Sequence, residues 1–443
     1  MKFDLALKSK NIVTPTNIVE GIICCNEGKI LSIKAYNSNI ENIIDVGELF
    51  VLPGVIDPHV HINEPGRTEW EGFNTITKAA IAGGVTTLVD MPLNASPVTT
   101  TVVAFDAKIK ATSNKLNCNC GFWGGVIPGN ENEMEGLIKK GVLGFKAFLT
   151  HSGIDEFPNV TENDLRKAMP IIAKHNLRLL VHCELSKVLS FQESESSYLN
   201  YMNSRPREWE DNAIELMIQL SQEFNCKVHV VHLSSSNSIK KIQEAKSKGI
   251  PITVETSQHY LYFSSEEIGN GKTEYKCAPP IREKENNIKL YKALEENIID
   301  FVATDHSPCT PNLKELESGN FMKAWGGISS IQFALSVLWT VVKNNNGSIH
   351  QLVKWLSENP AKCIGFKNTK GKIEIGFDAD LIVLNPEEKF TVTESSIHHK
   401  NKITPYLNKL LCGVVHQTYL KSKLVFNNGE FITLQQGELL LKN

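Results

Sequence analysis

Two histidines stand two residues apart in the run GVIDPHVHI, at His59 and His61. On a β-strand, residues i and i+2 share a face, so both imidazoles can converge on one cation. The bland alternative is a pair that merely shares a polar face. Further along, Lys146 in GFKAFLT, His182 in LLVHCE, His232 in HVVHLS and Asp305 in VATDHS each stand near the end of a short β-branched run. Six ligand-competent side chains from five strand ends form a far more specific pattern than any one of them, and together they predict a metal centre. An imidazole and carboxylate set suits zinc, and manganese, cobalt or iron would also fit.

Lys146 is chemically odd in this company. An ammonium between Phe145 and Ala147-Phe148 is costly to bury and is a poor ligand while protonated. It either snorkels to solvent as a structural lysine or reacts with carbon dioxide to give a carbamate able to bridge two cations; the residues alone leave both readings open. Four other histidines lie nearby in sequence. His151 follows the fourth strand within reach of a substrate, and His229, three residues before His232, is expected on the opposite face. His259 and His306 are expected to orient ligands.

The elements that must position these residues alternate. Candidate strands occupy 54–62, 86–92, 119–127, 144–150, 177–184, 227–234, 252–260 and 300–307, and apolar periods of three to four between them mark helices, among them 75–84, 162–176 and a last one at 328–344. Eight strands, each followed by a helix, is the count that closes a (β/α)8 barrel, a fold whose strand C-termini form the active face. Residues 1–52 and 369–443 hold short alternating strands and turn signals instead, and predict a small β domain built from both chain ends around a barrel at 53–368.

A chain of 443 residues, 41% hydrophobic and 21% charged, is an ordinary globular composition. A net charge of −3, with no basic tract, predicts no nucleic acid and no anionic membrane as partner. Asp4 and Lys8 interrupt any secretory signal, the C-terminus LLLKN is no peroxisomal address, and no apolar run suffices to span a bilayer, so a cytoplasmic location is expected. The ten cysteines are then expected to be reduced thiols.

The run PGVIDPHVHINEPGRTEWEGF followed by AAIAGGVTTLVDMPLN resembles the first barrel strands of the cyclic amidohydrolases, the dihydroorotase, hydantoinase/dihydropyrimidinase and allantoinase family. GFKAFLTHSGIDEFP, VETSQHYLYF, YKCAPPIRE, DHSPC and GNFMKAWGGISS continue the resemblance in order, and GKIEIGFDADLIVLNP looks like the family's β domain, a sandwich. The resemblance implies two divalent metal ions: His59 and His61 on the more buried one, Lys146 as a bridging carbamate, His182 and His232 on the second, and Asp305 as both ligand and proton shuttle. It also implies a homodimer or homotetramer.

Within the family, dihydroorotases place an arginine two residues after the HxH pair, to hold a substrate carboxylate. Here that position is Asn63, with Arg67 nearby, and NEPGRTEWEGF and MPLN look like the allantoinase branch. Allantoin, hydrolysed at a ring amide to allantoate, is the implied substrate; dihydroorotase and hydantoinase activities, and a non-catalytic scaffold of the same fold, remain alternatives. The expected substrate contacts are Asn63, Asn94, Ser307 and the backbone around Cys277 and Gly326.

Overall fold

The computed structural model describes residues 3–187 and 194–442. Eight strands run in parallel around a barrel: Val55–Val60, Val85–Asp90, Asn119–Phe122, Phe145–Phe148, Arg178–His182, Lys227–Val230, Ile252–Ser257 and Phe301–Ala303. The third strand breaks at Trp123 and resumes at Gly124–Gly125 to pair with the fourth. A parallel bridge between Val60 and His306 brings the eighth strand back to the first. Almost every residue in these strands is buried, because helices cover the outer face while the interior is packed. The sequences therefore read as continuous apolar runs rather than as alternation.

Most expected helices form where the periodicity places them, at Phe73–Ala82, Glu162–Lys174, Arg207–Phe224, Ile239–Ser247 and Lys284–Glu295. The last differs. It begins at Ala334 rather than 328, because Ile328 pairs with His306 alongside the eighth strand and the chain needs a 3-10 turn at Ile331–Phe333 before the helix can start.

The β-sandwich domain draws on both chain ends. Leu5–Val13, Ile18–Asn26, Lys29–Lys34 and Phe50–Pro53 join Leu381–Thr391, Leu410–Leu420 and Lys423–Asn427 in one nine-stranded sheet. The two halves meet where Phe50–Pro53 pairs antiparallel with Leu381–Thr391. Leu7, Ile23, Val51, Leu381 and Tyr419 form this domain's own core. Near the C-terminus, Leu439–Leu440 crosses to the third barrel strand and pairs parallel with it. All ten cysteines are free. Among the described residues no helix is long and apolar enough to cross a membrane.

A buried triad stitches the two parts. Lys370 lies 2.8 Å from Asp378 and 2.7 Å from Asp380. Asp380 also accepts the backbone N–H of Lys421 at 2.9 Å and the side-chain amide of Asn119, at the start of the third barrel strand, at 3.4 Å. Burial would pull the Lys370 ammonium down, but its two carboxylates hold it above the usual lysine range. Removing one partner of such a pair strands buried charge. Lys370→Met is therefore expected to destabilise the protein by about 3 kcal/mol, read as a lower urea midpoint. A midpoint equal to that of the wild type would show that the triad contributes nothing to stability.

Candidate metal centre

The six predicted side chains gather at one end of the barrel. His59 lies within the first strand and His61 just past it; His182 is the last residue of the fifth; His232 and Asp305 follow the sixth and eighth by two residues. Lys146 is the second residue of Phe145–Phe148, deeper than a strand end. One nitrogen each of His59 and His61 and one Asp305 oxygen all lie within 4.8 Å of one another, all three residues buried. The His59 ring centroid is 5.4 Å from that of His232. His232 Nε2 faces His182 Nδ1 at 3.0 Å.

Local backbone makes this convergence possible. Asn63, Asn94, His232 and Asp305 all take positive φ, between 39° and 68°. That region is sparsely populated outside glycine, though Asn, Asp and His enter it most readily. Trp123, fully buried, braces the first strand by donating its indole N–H to the Pro58 carbonyl at 2.8 Å, one residue before His59.

Three of the four imidazoles, those of His59, His61 and His182, are held from behind. His59 hydrogen-bonds Glu255 through Nδ1, leaving Nε2 3.1 Å from Asp305. His182 bonds Glu184 through Nε2 at 2.7 Å, leaving Nδ1 turned to His232. Arg205 supplies the countercharge, its Nε donating to Glu184 at 3.1 Å and its terminal nitrogen to the second oxygen. His61 Nδ1 meets the Asn94 side-chain amide at 3.1 Å.

Charge follows from these partners. Burial alone would pull His59 down, but Asp305 and Glu255 hold it up at about 9. Burial leaves His61 at about 4 and His232 well below the usual imidazole range. Asp305 would be raised by burial, yet the surrounding imidazoles, His59 foremost, hold it well below the usual carboxylate range.

Lys146 is wholly buried, its Nζ has no hydrogen-bond partner among the described residues, and burial pulls it down to about 8. The snorkelling alternative therefore fails, since the ammonium has no path to solvent. Imidazoles that burial keeps neutral at His61, His182 and His232, a His59 that would give up its proton to a bound cation, an ionised carboxylate and a buried amine together make a donor set that fits divalent cations.

A cavity of about 530 Å³ opens above these groups. Leu93, Phe148 and Trp325 give it apolar walls, and Arg205, Lys276 and Ser307 give it polar ones. Of the expected substrate contacts, Asn94, Ser307 and Gly326 line it. Asn63 and Cys277 do not. The turn at Asn63 buries that side chain against the Pro308 carbonyl at 3.4 Å, and the Cys277 carbonyl is occupied by the Tyr201 hydroxyl at 2.6 Å. Arg67 is engaged elsewhere, in an ion pair with Glu156 at 2.6 Å.

His151 sits exposed at the cavity rim. His229 departs from expectation. It bonds Glu255 at 3.0 Å and so lies beneath the centre, because the left-handed turn at His232 breaks the strand alternation on which the opposite-face argument rests. His306 accepts the backbone N–H groups of Ser330 and Ile331 through Nδ1, at 2.9 and 3.2 Å. His259 is buried with both ring nitrogens unpartnered. Sequence reasoning missed Glu184, Arg205 and Glu255. The one signal for Glu184 was its place two residues after His182, on the same side of the chain.

A parallel barrel with a polar cluster at its strand ends defines a barrel enzyme in outline, and comparison supplies the lineage. The chain belongs to the amidohydrolase family, which residues 50–425 match. It is 42% identical to an allantoinase of Streptomyces avermitilis, over 99% of this chain and 98% of that one. It is 39% identical to an allantoinase of Saccharomyces cerevisiae, over 95% and 91%. Among solved structures it is similar to the L-hydantoinase (dihydropyrimidinase) of Arthrobacter aurescens, with a TM-score of 0.92 and 29% identity over 99% of this chain and 100% of that one. The dihydropyrimidinase of Brevibacillus agri gives 0.91 and 25%, over 99% and 98%.

Partners that orient ligating imidazoles typically change metal affinity about 10- to 100-fold when removed. Glu255→Gln is expected to weaken divalent-metal binding by that order, measured by competition with a chromogenic chelator. Wild-type affinity in the variant would mean that Glu255 is structural only.

Proposed function

We propose that this protein hydrolyses a ring amide of allantoin to give allantoate, at a centre of two divalent cations held by His59, His61, His182, His232, Asp305 and a carbamate on Lys146. The observation that carries the reading is the convergence of these side chains under one cavity, in a chain similar over its whole length to allantoinases. Zinc is the favoured ion on ligand chemistry. Bound there, the cations would supply Lewis acidity, lowering the pKa of a water and polarising the carbonyl under attack.

The chain's own groups do the rest. Neutral Lys146 Nζ attacks the carbon of carbon dioxide, forming the C–N bond and losing a proton to solvent. Asp305, ionised among its imidazoles, accepts the proton of the attacking water at its carboxylate and delivers it to the ring nitrogen as the C–N bond breaks. Glu255 and Glu184 keep His59 and His182 in the tautomers that turn Nε2 and Nδ1 inward. Asn94 braces His61 by placing its side-chain amide nitrogen 3.1 Å from Nδ1. Leu93, Phe148 and Trp325 exclude bulk water around the ring. A cytoplasmic homodimer or homotetramer belongs to the same reading.

Substrate choice rests on charge. Arg67 is committed to Glu156, and Asn63 is neutral and turned to Pro308, so neither offers a free cation to a substrate carboxylate. Lys276 and Lys323 also line the cavity, but Lys276 is spent on the Met322 and Ala324 carbonyls, and a carboxylate left unpaired on burial costs several kcal/mol. The expected kcat/KM for allantoin exceeds that for dihydroorotate by at least about a hundredfold, or about 2.7 kcal/mol. A side-by-side assay of allantoin, dihydroorotate and hydantoin tests this, and equal turnover of the first two sinks the assignment. Because solved structures similar to this chain include a hydantoinase and a dihydropyrimidinase, preferential turnover of plain hydantoin would select that reading instead.

A second expectation concerns Lys146. Lys146→Ala should be inactive with reduced metal content, and short carboxylic acids should restore part of both by standing in for the carbamate. Full activity in the variant, with metal retained, rules the carbamate out.

A further inference from the structure

Lys314 is buried on every side and has no carboxylate partner among the described residues; its Nζ donates instead to three backbone carbonyls, those of Lys276 at 3.0 Å, Trp325 at 3.0 Å and Gly327 at 2.5 Å. An ammonium has three donors, so the set is complete. Taking such a charge out of water without a counter-ion is expensive, and burial pulls its pKa down to about 8. A methionine of similar length would fill the space without that cost, so the lysine is better explained by what it joins than by general stability.

The three carbonyls belong to two segments that line the cavity, one at 276–278 and the other at 324–327. The second segment is also laid against the chain beside Asp305. Trp325 donates its indole N–H to Ser307 Oγ at 3.3 Å, Ser307 donates its backbone N–H to Ile328 at 3.0 Å, and a Cβ at Gly327 would lie 2.4 Å from the Ser307 carbonyl oxygen. Lys276 repeats the device from the facing side, donating to Ala324 at 2.5 Å and Met322 at 3.2 Å. No regular helix or strand spans 315–330, so the wall is held in register by these bonds together with the Trp325 N–H on the Leu313 carbonyl at 2.7 Å.

We propose that Lys314 is a positioning residue for substrate binding: its ammonium fixes the spacing of the 276–278 and 324–327 segments, between which a cyclic amide must sit. It touches neither substrate nor metal ligands; it acts through the backbone it holds. The inference rests on the cavity being the substrate site, as proposed above.

The test is Lys314→Met, assayed on whichever cyclic amide the wild type turns over, so that failure of the allantoin assignment leaves it readable. Each stranded carbonyl forfeits on the order of 1 kcal/mol or more, so KM is expected to rise about tenfold or more while kcat changes less than about threefold. Metal content should stay at the wild-type value, and amide hydrogen exchange should quicken at 276–278 and 324–328 but not in the barrel strands. Lys370→Met serves as the contrast, a buried lysine at the domain junction whose loss should lower stability and leave KM unchanged. Wild-type KM in Lys314→Met, or an equal KM rise in Lys370→Met, overturns the proposal. If Lys314→Met does not fold, Lys314→Gln, which keeps two donors, takes its place; a raised KM there supports the proposal and a wild-type KM overturns it.

Discussion

Glu255 has no solvent contact, and each of its carboxylate oxygens is taken by an imidazole, His59 on one side and His229 on the other. An ionised carboxylate survives in such a place only when its charge is shared. The two histidines hold it at about 2, against a burial that would raise it. The same bond commits His59 Nδ1, and the inward face of the first strand is thereby fixed as an unencumbered Nε2 opposite Asp305. Glu184 does the equivalent for His182, with Arg205 as countercharge. The whole cluster depends on these buried carboxylates, because imidazoles free to rotate or to exchange tautomers would not keep their nitrogens turned to a common centre.

The second constraint is geometric. A barrel strand points alternate side chains inward, so a purely regular strand end offers few groups at one height. His232 and Asp305 escape this by leaving the β region at positive φ, and Asn63 and Asn94 turn the chain in the same way after the first and second strands. Such residues cost of order 1–3 kcal/mol each, and they persist where surrounding structure determines them. For Asp305 the surroundings are the bridges from Val60 and Ile328 to the next residue, His306.

The ligand candidates were legible in the sequence because their signal is local: a histidine or aspartate closing an apolar run is visible without knowing its neighbours. The eight strands were legible for the same reason. Glu255 was not, since a carboxylate inside a strand announces nothing until the strand beside it is known, and Glu184, two residues past the end of the fifth strand, offered only its spacing from His182. Asn63 was expected on the substrate because it stands where dihydroorotases place an arginine, and Cys277 as part of its segment; a left-handed turn and one tyrosine hydroxyl engage the two elsewhere, while the neighbouring Ala278 does line the cavity. His229 failed by a related route, alternation being counted across a residue that is no longer extended. The late start of the last helix, at Ala334, came from a tertiary bridge that periodicity cannot register.

The sheet built from both chain ends has a temporal side. Pro53 pairs with Leu381, so the edge of Phe50–Pro53 finds its neighbour only after the whole barrel has been synthesised. At a translation rate of about 10 residues per second this is roughly half a minute. Throughout that interval an apolar strand edge from the amino-terminal meander is available to any other extended chain. Pairings this distant in sequence also close slowly once both partners exist. The late joining of the two ends leaves the small domain with an open edge until after the eighth barrel strand has been made.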